Sequence, residues 1–289
     1  MISTRRDNLY GYIFILPAVL VLGCFFAYPI LKTLYLSTAE WNMLSKPKLV
    51  GFKNYIRLFQ DGDFYKSLWV TIYYVFGTTL LNIPLAFLCA VALNGAGRAQ
   101  GFFKGIYFTP VVLSTVIASV LWISVYHPYS GIMQLLPLPS HLKVQSWYQR
   151  PDLVVPGLIV FTLWKGIGLY IVIFLAALIN IPASYQEAAQ IDGASFWQSL
   201  LKIVIPMLKP IFLFTVVICV VYSFQNFAIV YTSTKGGPND YSKILPILIF
   251  ENGFKYYKMG YASALAVIQF LIMFFFSYIQ FKVFKSEVE

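Results

Sequence analysis

The chain has 289 residues, of which 59% are hydrophobic and only 11% charged, and its mean hydropathy is +0.73. A soluble domain carries roughly 25% charged residues, so a soluble globular enzyme is excluded and a bilayer protein is expected. The formal charge of +10 comes from lysines and arginines scattered through connecting loops. The sequence shows no basic run or basic-aromatic patch, which argues against a nucleic-acid partner.

A crossing needs about 20 mostly apolar residues, because the hydrocarbon core is about 30 Å thick. Six stretches meet that length: 11–36, 68–93, 107–126, 154–180, 207–232 and 261–283. Each reads as a helix, the form that satisfies its own backbone in lipid. The first follows Arg5-Arg6, as a twin-arginine export signal would. Pro17 and Pro29 interrupt it, no A-x-A-like cleavage site follows, and five more spans come after it, so it reads as the first membrane helix. Between spans 1 and 2, Phe52, Tyr55, Ile56 and Phe59 recur at helical spacing among charged residues. That pattern predicts an amphipathic helix lying at the interface.

In span 2, Asn82 stands two residues before Pro84 and is expected to support a kink. Span 3 carries Ser114, Thr115 and Ser119, whose role the sequence leaves open. Most connections hold turn residues, among them Gly95, Gly97, Pro137, Pro139, Pro182 and the run Gly236-Gly237-Pro238. Cys24, Cys89 and Cys219 all lie in apolar blocks, no C-x-x-C pair exists, and the histidines are two, His127 and His141. Neither a disulfide framework nor a metal site is expected. Lysines and arginines are shared between the two faces and one face has the longer loops, so charge alone leaves orientation open.

Between spans 4 and 5 lies an acidic segment, "EAAQIDGASFWQSLLKIVIP", at 187–206. Pro182 closes span 4, and Ser184 with Glu187 has capping-box spacing. Gly193 can take the left-handed geometry that ends a helix. Ser195 with Gln198 repeats the capping signal, and Pro206 marks the joint to span 5. The segment predicts two short helices around Gly193, and on spacing alone Glu187 is a helix cap.

No Gly-Lys dipeptide occurs, so a G-x-x-x-x-G-K-[ST] phosphate loop is absent and any ATP must be handled by another chain. All eleven acidic residues lie outside the apolar cores of the spans, whereas an ion-driven carrier usually keeps one at membrane depth. An intramembrane enzyme would need a buried nucleophile and base or paired acids, and none is present. One reading that stays open is an ion-gradient-driven secondary carrier or channel without an ATPase, since backbone carbonyls can also bind sodium.

Polar residues within spans point to a path. Tyr222, Ser223 and Asn226 on span 5 are spaced to share one helix face. Hydroxyl and amide groups beside aromatic rings suit a neutral polyhydroxy cargo, and the same groups serve as glue between membrane helices. Lys165, near the middle of span 4, must face water, protein or cargo.

The segment at 187–206 resembles the EAA signature of ABC importer permeases, E-A-A-x-x-x-G followed by I-x-L-P. Glu187, Ala188, Ala189, Gly193, Ile203 and Pro206 match it, and Ile205 replaces the usual Leu. "VGFKNYIRLFQD", "FKGIYFTPVVLS", "WKGIGLYIVIFLAALINIP", "TKGGPND" and "GYASALAV" extend the similarity over most of the chain. They point to the subfamily importing oligosaccharides, polyols and glycerol phosphates, with the maltose permease as its best-known relative.

The resemblance implies an all-α integral membrane protein with six transmembrane helices and the type I ABC importer permease fold. It divides the chain into an N-terminal helix and interfacial segment at 1–66, the transmembrane domain at 67–283 and a short tail at 284–289. Its coupling loop, 184–206, would be cytoplasmic, placing both termini inside the bacterial cytoplasmic (inner) membrane. There Glu187, Ala188, Ala189, Asp192 and Gly193 would dock on an ATPase. Thr162, Lys165, Gly166 and Leu169 match cargo-contacting positions on span 4, and Ser223 and Asn226 match such positions on span 5, beside Tyr222. Lys165 would meet an anionic cargo or carbonyls of a partner permease. The implied partners are a second homologous permease, two ATP-binding cassette subunits, an extracytoplasmic solute-binding protein and membrane lipid. No cofactor is expected in this chain, since ATP and Mg would bind the ATPase.

Overall fold

The computed structural model describes residues 5–285 apart from 138 and 144, so residues 286–289 of the expected tail lie outside the described residues. The chain forms two compact units, one built from residues up to Gly62 together with Leu248–Phe270, the other from Asp63–Ile247 with the segment from Leu271 onward.

In the first unit, α1 (Arg5–Leu22) and α2 (Tyr28–Ser37) join through a π-helical turn at Gly23–Ala27. Together they give one apolar run, Tyr12–Ser37, long enough to cross a bilayer. Pro29 comes just after the π-helical turn, at the point where its missing N–H interrupts the regular bonding of a continuing helix. Nearly all of this run's side chains face outward. A short antiparallel ribbon follows, β1 (Ala39–Glu40) against β2 (Lys48–Leu49). Then comes α3 (Lys53–Gln60), amphipathic as its spacing predicts. Leu58 and Asn54 turn inward, while Phe52, Ile56 and Phe59 are exposed along one stripe.

Asn54 holds the end of α2, its amide donating to the carbonyls of Ser37 and Ala39, both at 2.9 Å. The carbonyl of Trp41 accepts from Met259 N–H at 2.9 Å, at the start of the long last helix. Gly260 is obligatory there, since a Cβ would overlap the Ala39 carbonyl oxygen. These contacts also gather Lys46, Lys48, Arg57 and Lys258 with Trp41, Tyr257 and Tyr261 around one cleft. The fold thus assembles a basic-aromatic patch that the linear sequence does not show, because its two halves, 41–57 and 257–261, are at least 200 positions apart.

The second unit contains α4 (Gly62–Asn94), α5 (Gln100–Val112), α6 (Thr115–Val125) and α7 (Val154–Ile179). Next come α8 (Ala183–Ile191), α9 (Phe196–Ser199), α10 (Ile205–Met207), α11 (Lys209–Phe224) and α12 (Phe227–Thr234). After α13 (Leu245–Phe250), which begins in this unit, α14 (Met259–Lys285) completes it with its second half. Its core is aromatic and tightly packed. Phe174 of α7, Phe87 of α4 and Phe212 of α11 form a triangle of rings with centroids 4.7 to 5.5 Å apart. Small residues let backbones close in, as membrane helices require where lipid offers no hydrophobic drive between them. At Gly168 of α7 a Cβ would overlap the carbonyl oxygen of Tyr107 on α5.

Among the described residues four helices are long and apolar enough to cross a membrane: Tyr12–Ser37, Gly62–Asn94, Val154–Ile179 and Met259–Lys282. Two further apolar stretches are bent pairs, the first over the expected third crossing and the second joining the acidic segment to the expected fifth. Gln100–Val112 meets Thr115–Val125 at 101°, and Phe196–Met207 meets Lys209–Phe224 at 71°. The expected single helix over 207–232 is corrected too. It is interrupted at Gln225-Asn226, where Asn226 (φ −78°, ψ 56°) forms a tight turn and the Phe227 N–H returns to the Gln225 carbonyl at 2.7 Å.

Candidate functional site

Both interruptions face one cleft of about 430 Å³ in the second unit. Val111 and Thr115 line it from the α5–α6 break, and Tyr222, Ser223, Gln225 and Asn226 from the α11–α12 break. The α7 wall supplies Thr162, Lys165, Gly166 and Leu169. Every residue singled out on spans 4 and 5 therefore lies on a single surface. Tyr222, Ser223 and Asn226 do not share a helix face as their spacing suggested. Asn226 lies outside the helix, and the turn brings it to the same cleft as Ser223.

Buried hydroxyls on α4 support this surface. The Tyr74 hydroxyl lies 2.6 Å from Thr162 Oγ1 and accepts a hydrogen bond from the Asn226 side-chain amide. Thr78 Oγ1 and Ser223 Oγ lie 3.0 Å apart. The glue reading of these polar residues is thus realised, through hydrogen bonds that tie α4 to α7 and to the α11–α12 break. Asn82 donates to the Thr78 carbonyl at 3.1 Å within α4, which runs unbroken through Pro84. Its Oδ1, buried at the cleft, has no hydrogen-bond partner among the described residues. Sequence reasoning missed Asn82, Gln225 and Tyr74 as parts of this site. Gln225 and Asn82 carried a signal as amides inside apolar runs, whereas Tyr74 carried none.

Lys165 has partners that neither expectation named. Its Nζ donates to the carbonyls of Pro110 at 2.9 Å and Val111 at 3.1 Å, both within its own chain. These carbonyls close α5, where the break at Leu113-Ser114 removes the N–H groups that a continuing helix would offer them. A cation at a helix C-terminus also meets the negative end of its dipole. Two of the three ammonium donors are engaged in this way.

The acidic segment forms the two short helices expected around Gly193. The chain leaves α8 through Asp192, and Gly193 takes φ +73°. Its N–H reaches the Gln190 carbonyl at 3.0 Å and the Ala194 N–H reaches the Ala189 carbonyl at 2.9 Å, a double closure typical of a glycine-ended helix. The Ser195–Gln198 capping box is present in both directions, at 3.3 and 2.8 Å. The Ser184–Glu187 box is not. Pro182 occupies the cap position, α8 starts at Ala183, and Ser184 falls inside the first turn. Glu187 caps nothing and is exposed, as are Ala188 and Asp192, whereas Ala189 is buried. Exposed Tyr185, Ile191, Phe196 and Trp197 surround the turn.

The sequence from 82 to 287 matches the model of the family described as binding-protein-dependent transport system inner membrane component. The chain belongs to this family. It is 34% identical to the probable ABC transporter permease protein YesP of Bacillus subtilis, over 97% of this chain and 92% of that relative. It is 32% identical to the lactose transport system permease protein LacF of Rhizobium radiobacter, over 97% and 98% of the two chains. Its fold matches a chain from the crystal structure of a bacterial ABC transporter involved in the import of the acidic polysaccharide alginate, with TM-score 0.82 and 21% identity. That match covers 98% of this chain and 96% of the other. This permease is a multi-pass inner-membrane component with the type I importer fold and not an enzyme. Family membership overturns the alternative of a carrier working without an ATPase.

Proposed function

We propose that this permease carries a sugar, polyol or related polyhydroxy solute through the cleft between the α5–α6 and α11–α12 breaks. The observation that carries the reading is the cleft itself. Interrupted helices facing one cleft are a usual way to build a solute site inside a membrane. Thr162, Ser223, Asn226, Tyr222 and the unpartnered carbonyl of Asn82 add donors, acceptors and an aromatic face, which match hydroxyl-rich cargo. Lys165 spends two of its three donors on its own chain, so the hydroxyl and amide groups supply most of the cleft's hydrogen bonding. The lactose transport system permease among its relatives supports the same class.

In this reading the 184–206 segment is the cytoplasmic coupling loop, and both termini are cytoplasmic. Glu187, Ala188 and Asp192 offer an exposed docking face, Gly193 shapes its end, and Ala189 seats α8 on its own helices. ATP and Mg bind two cassette subunits. A second homologous permease completes the pathway, and an extracytoplasmic binding protein delivers the solute. Closure of the cassettes moves the loop, and the helices rock to alternate access.

The test is purification of the tagged chain in mild detergent, identification of what accompanies it, and reconstitution of that assembly with its binding protein. ATP-dependent uptake of an oligosaccharide or polyol is expected. Uptake that follows an ion gradient and ignores ATP, or an assembly that binds only amino acids or metal ions, would contradict it.

A further inference from the structure

The cleft in the first unit, about 470 Å³, belongs to no step above. Lys46, Lys48, Arg57 and Lys258 line it, against one lining carboxylate, Glu40. Among the described residues none of the four cations is ion-paired. Arg57 instead stacks 5.5 Å from the centre of the Tyr261 ring, whose hydroxyl donates to Asp61 Oδ2, and Lys258 lies 5.8 Å from that of Tyr256.

Its height along the membrane follows from the chain. One wall begins three residues after Ser37, where the apolar run Tyr12–Ser37 stops. The opposite wall, Tyr257 to Tyr261, is the start of the apolar run Met259–Lys282. Arg57 comes from α3, whose exposed Phe52, Ile56 and Phe59 stripe suits the acyl boundary. Trp41, Tyr257 and Tyr261 are the residue types that gather at headgroup level. The floor is fixed, with Asn54 clamping the end of α2 and Trp41 accepting from Met259.

We infer that this cleft is a binding site for the headgroup of an anionic phospholipid, held by Arg57, Lys258, Lys46 and Lys48. Four unpaired cations at the meeting of two span ends and an interfacial helix match a phosphate diester whose headgroup carries no compensating positive charge. The acyl chains would follow the exposed apolar face of Tyr12–Ser37. A soluble anion lacks those chains, and an acidic protein surface would leave the Phe52–Ile56–Phe59 stripe unused.

The test is native mass spectrometry of the purified permease assembly, titrated with phosphatidylglycerol and with phosphatidylcholine of the same acyl chains. Phosphatidylglycerol should be retained in preference. One cation near a headgroup contributes about fivefold, so R57Q with K258Q should weaken phosphatidylglycerol about 30-fold and leave phosphatidylcholine unchanged. E40Q, which disturbs no packing, should strengthen it about fivefold, and K235Q, outside the cleft, should change nothing. Equal retention of the two lipids by the wild type would overturn the inference. So would an unshifted preference in both R57Q/K258Q and E40Q, displacement by glycerol 3-phosphate at matched concentration, or displacement by the solute-binding protein.

Discussion

Replacing Lys165 by Met leaves an unbranched side chain one atom shorter and removes its donors. Two carbonyls at the end of α5, those of Pro110 and Val111, then lose the partner that holds them at 2.9 and 3.1 Å. An unsatisfied buried carbonyl costs about 1–3 kcal/mol. Lys165 borders the cleft and is only partly buried, so water reaches this face and the sum belongs near the low end, about 2 kcal/mol. For a chain of this size that corresponds to a thermal midpoint lower by about 4–8 °C. The assay is thermal unfolding of the detergent-purified assembly, run beside uptake kinetics. Lys165→Arg, which keeps the donors, should recover most of the midpoint. An unchanged midpoint in Lys165→Met, together with a large rise in KM for an anionic solute, would refute the reasoning and return Lys165 to the cargo.

The two glycines of α7 near the cleft should separate packing from passage. Gly168→Ala drives a Cβ into the Tyr107 backbone and should destabilise at or above the usual overpacking range of about 1–3 kcal/mol, read as loss of folded permease after extraction. Gly166→Ala meets nothing closer than the Tyr170 ring at 3.8 Å; it should fold normally and lower uptake by narrowing the cleft. Gly193→Val forces a β-branched residue to φ +73°, costing about 1–3 kcal/mol locally. Insertion should persist while ATP hydrolysis and uptake become uncoupled in proteoliposomes.

Much of this was legible because hydrophobic length and turn chemistry act locally. Six apolar blocks, the Gly193 turn, the Ser195–Gln198 box and the α3 stripe all follow from neighbours within a few residues. The interruptions were less legible. At Gln225-Asn226 no proline or glycine marks the break, and only two amides in an apolar run hint at it. The α5–α6 break follows Pro110 by three residues rather than preceding it. Ser184 and Glu187 had the right spacing but the wrong register, because with Pro182 as the cap the helix starts two residues early for a serine cap. Lys165 could not be placed at all from sequence, since its partners lie more than 50 positions away on another helix. The likeness to importer permeases brought Thr162, Lys165, Gly166, Leu169, Ser223 and Asn226 to attention, and the fold gathers them on one surface.

The cleft as the route of a polyhydroxy solute is tested most directly by measuring uptake and ATP hydrolysis together, in proteoliposomes given solute-loaded binding protein, for wild type and Asn226→Ala. Removing one hydrogen-bonding side chain from the route should lower uptake about tenfold, the equivalent of a single good hydrogen bond, while hydrolysis stays near the wild-type rate. Uptake and hydrolysis both at wild-type levels would contradict the assignment of this cleft.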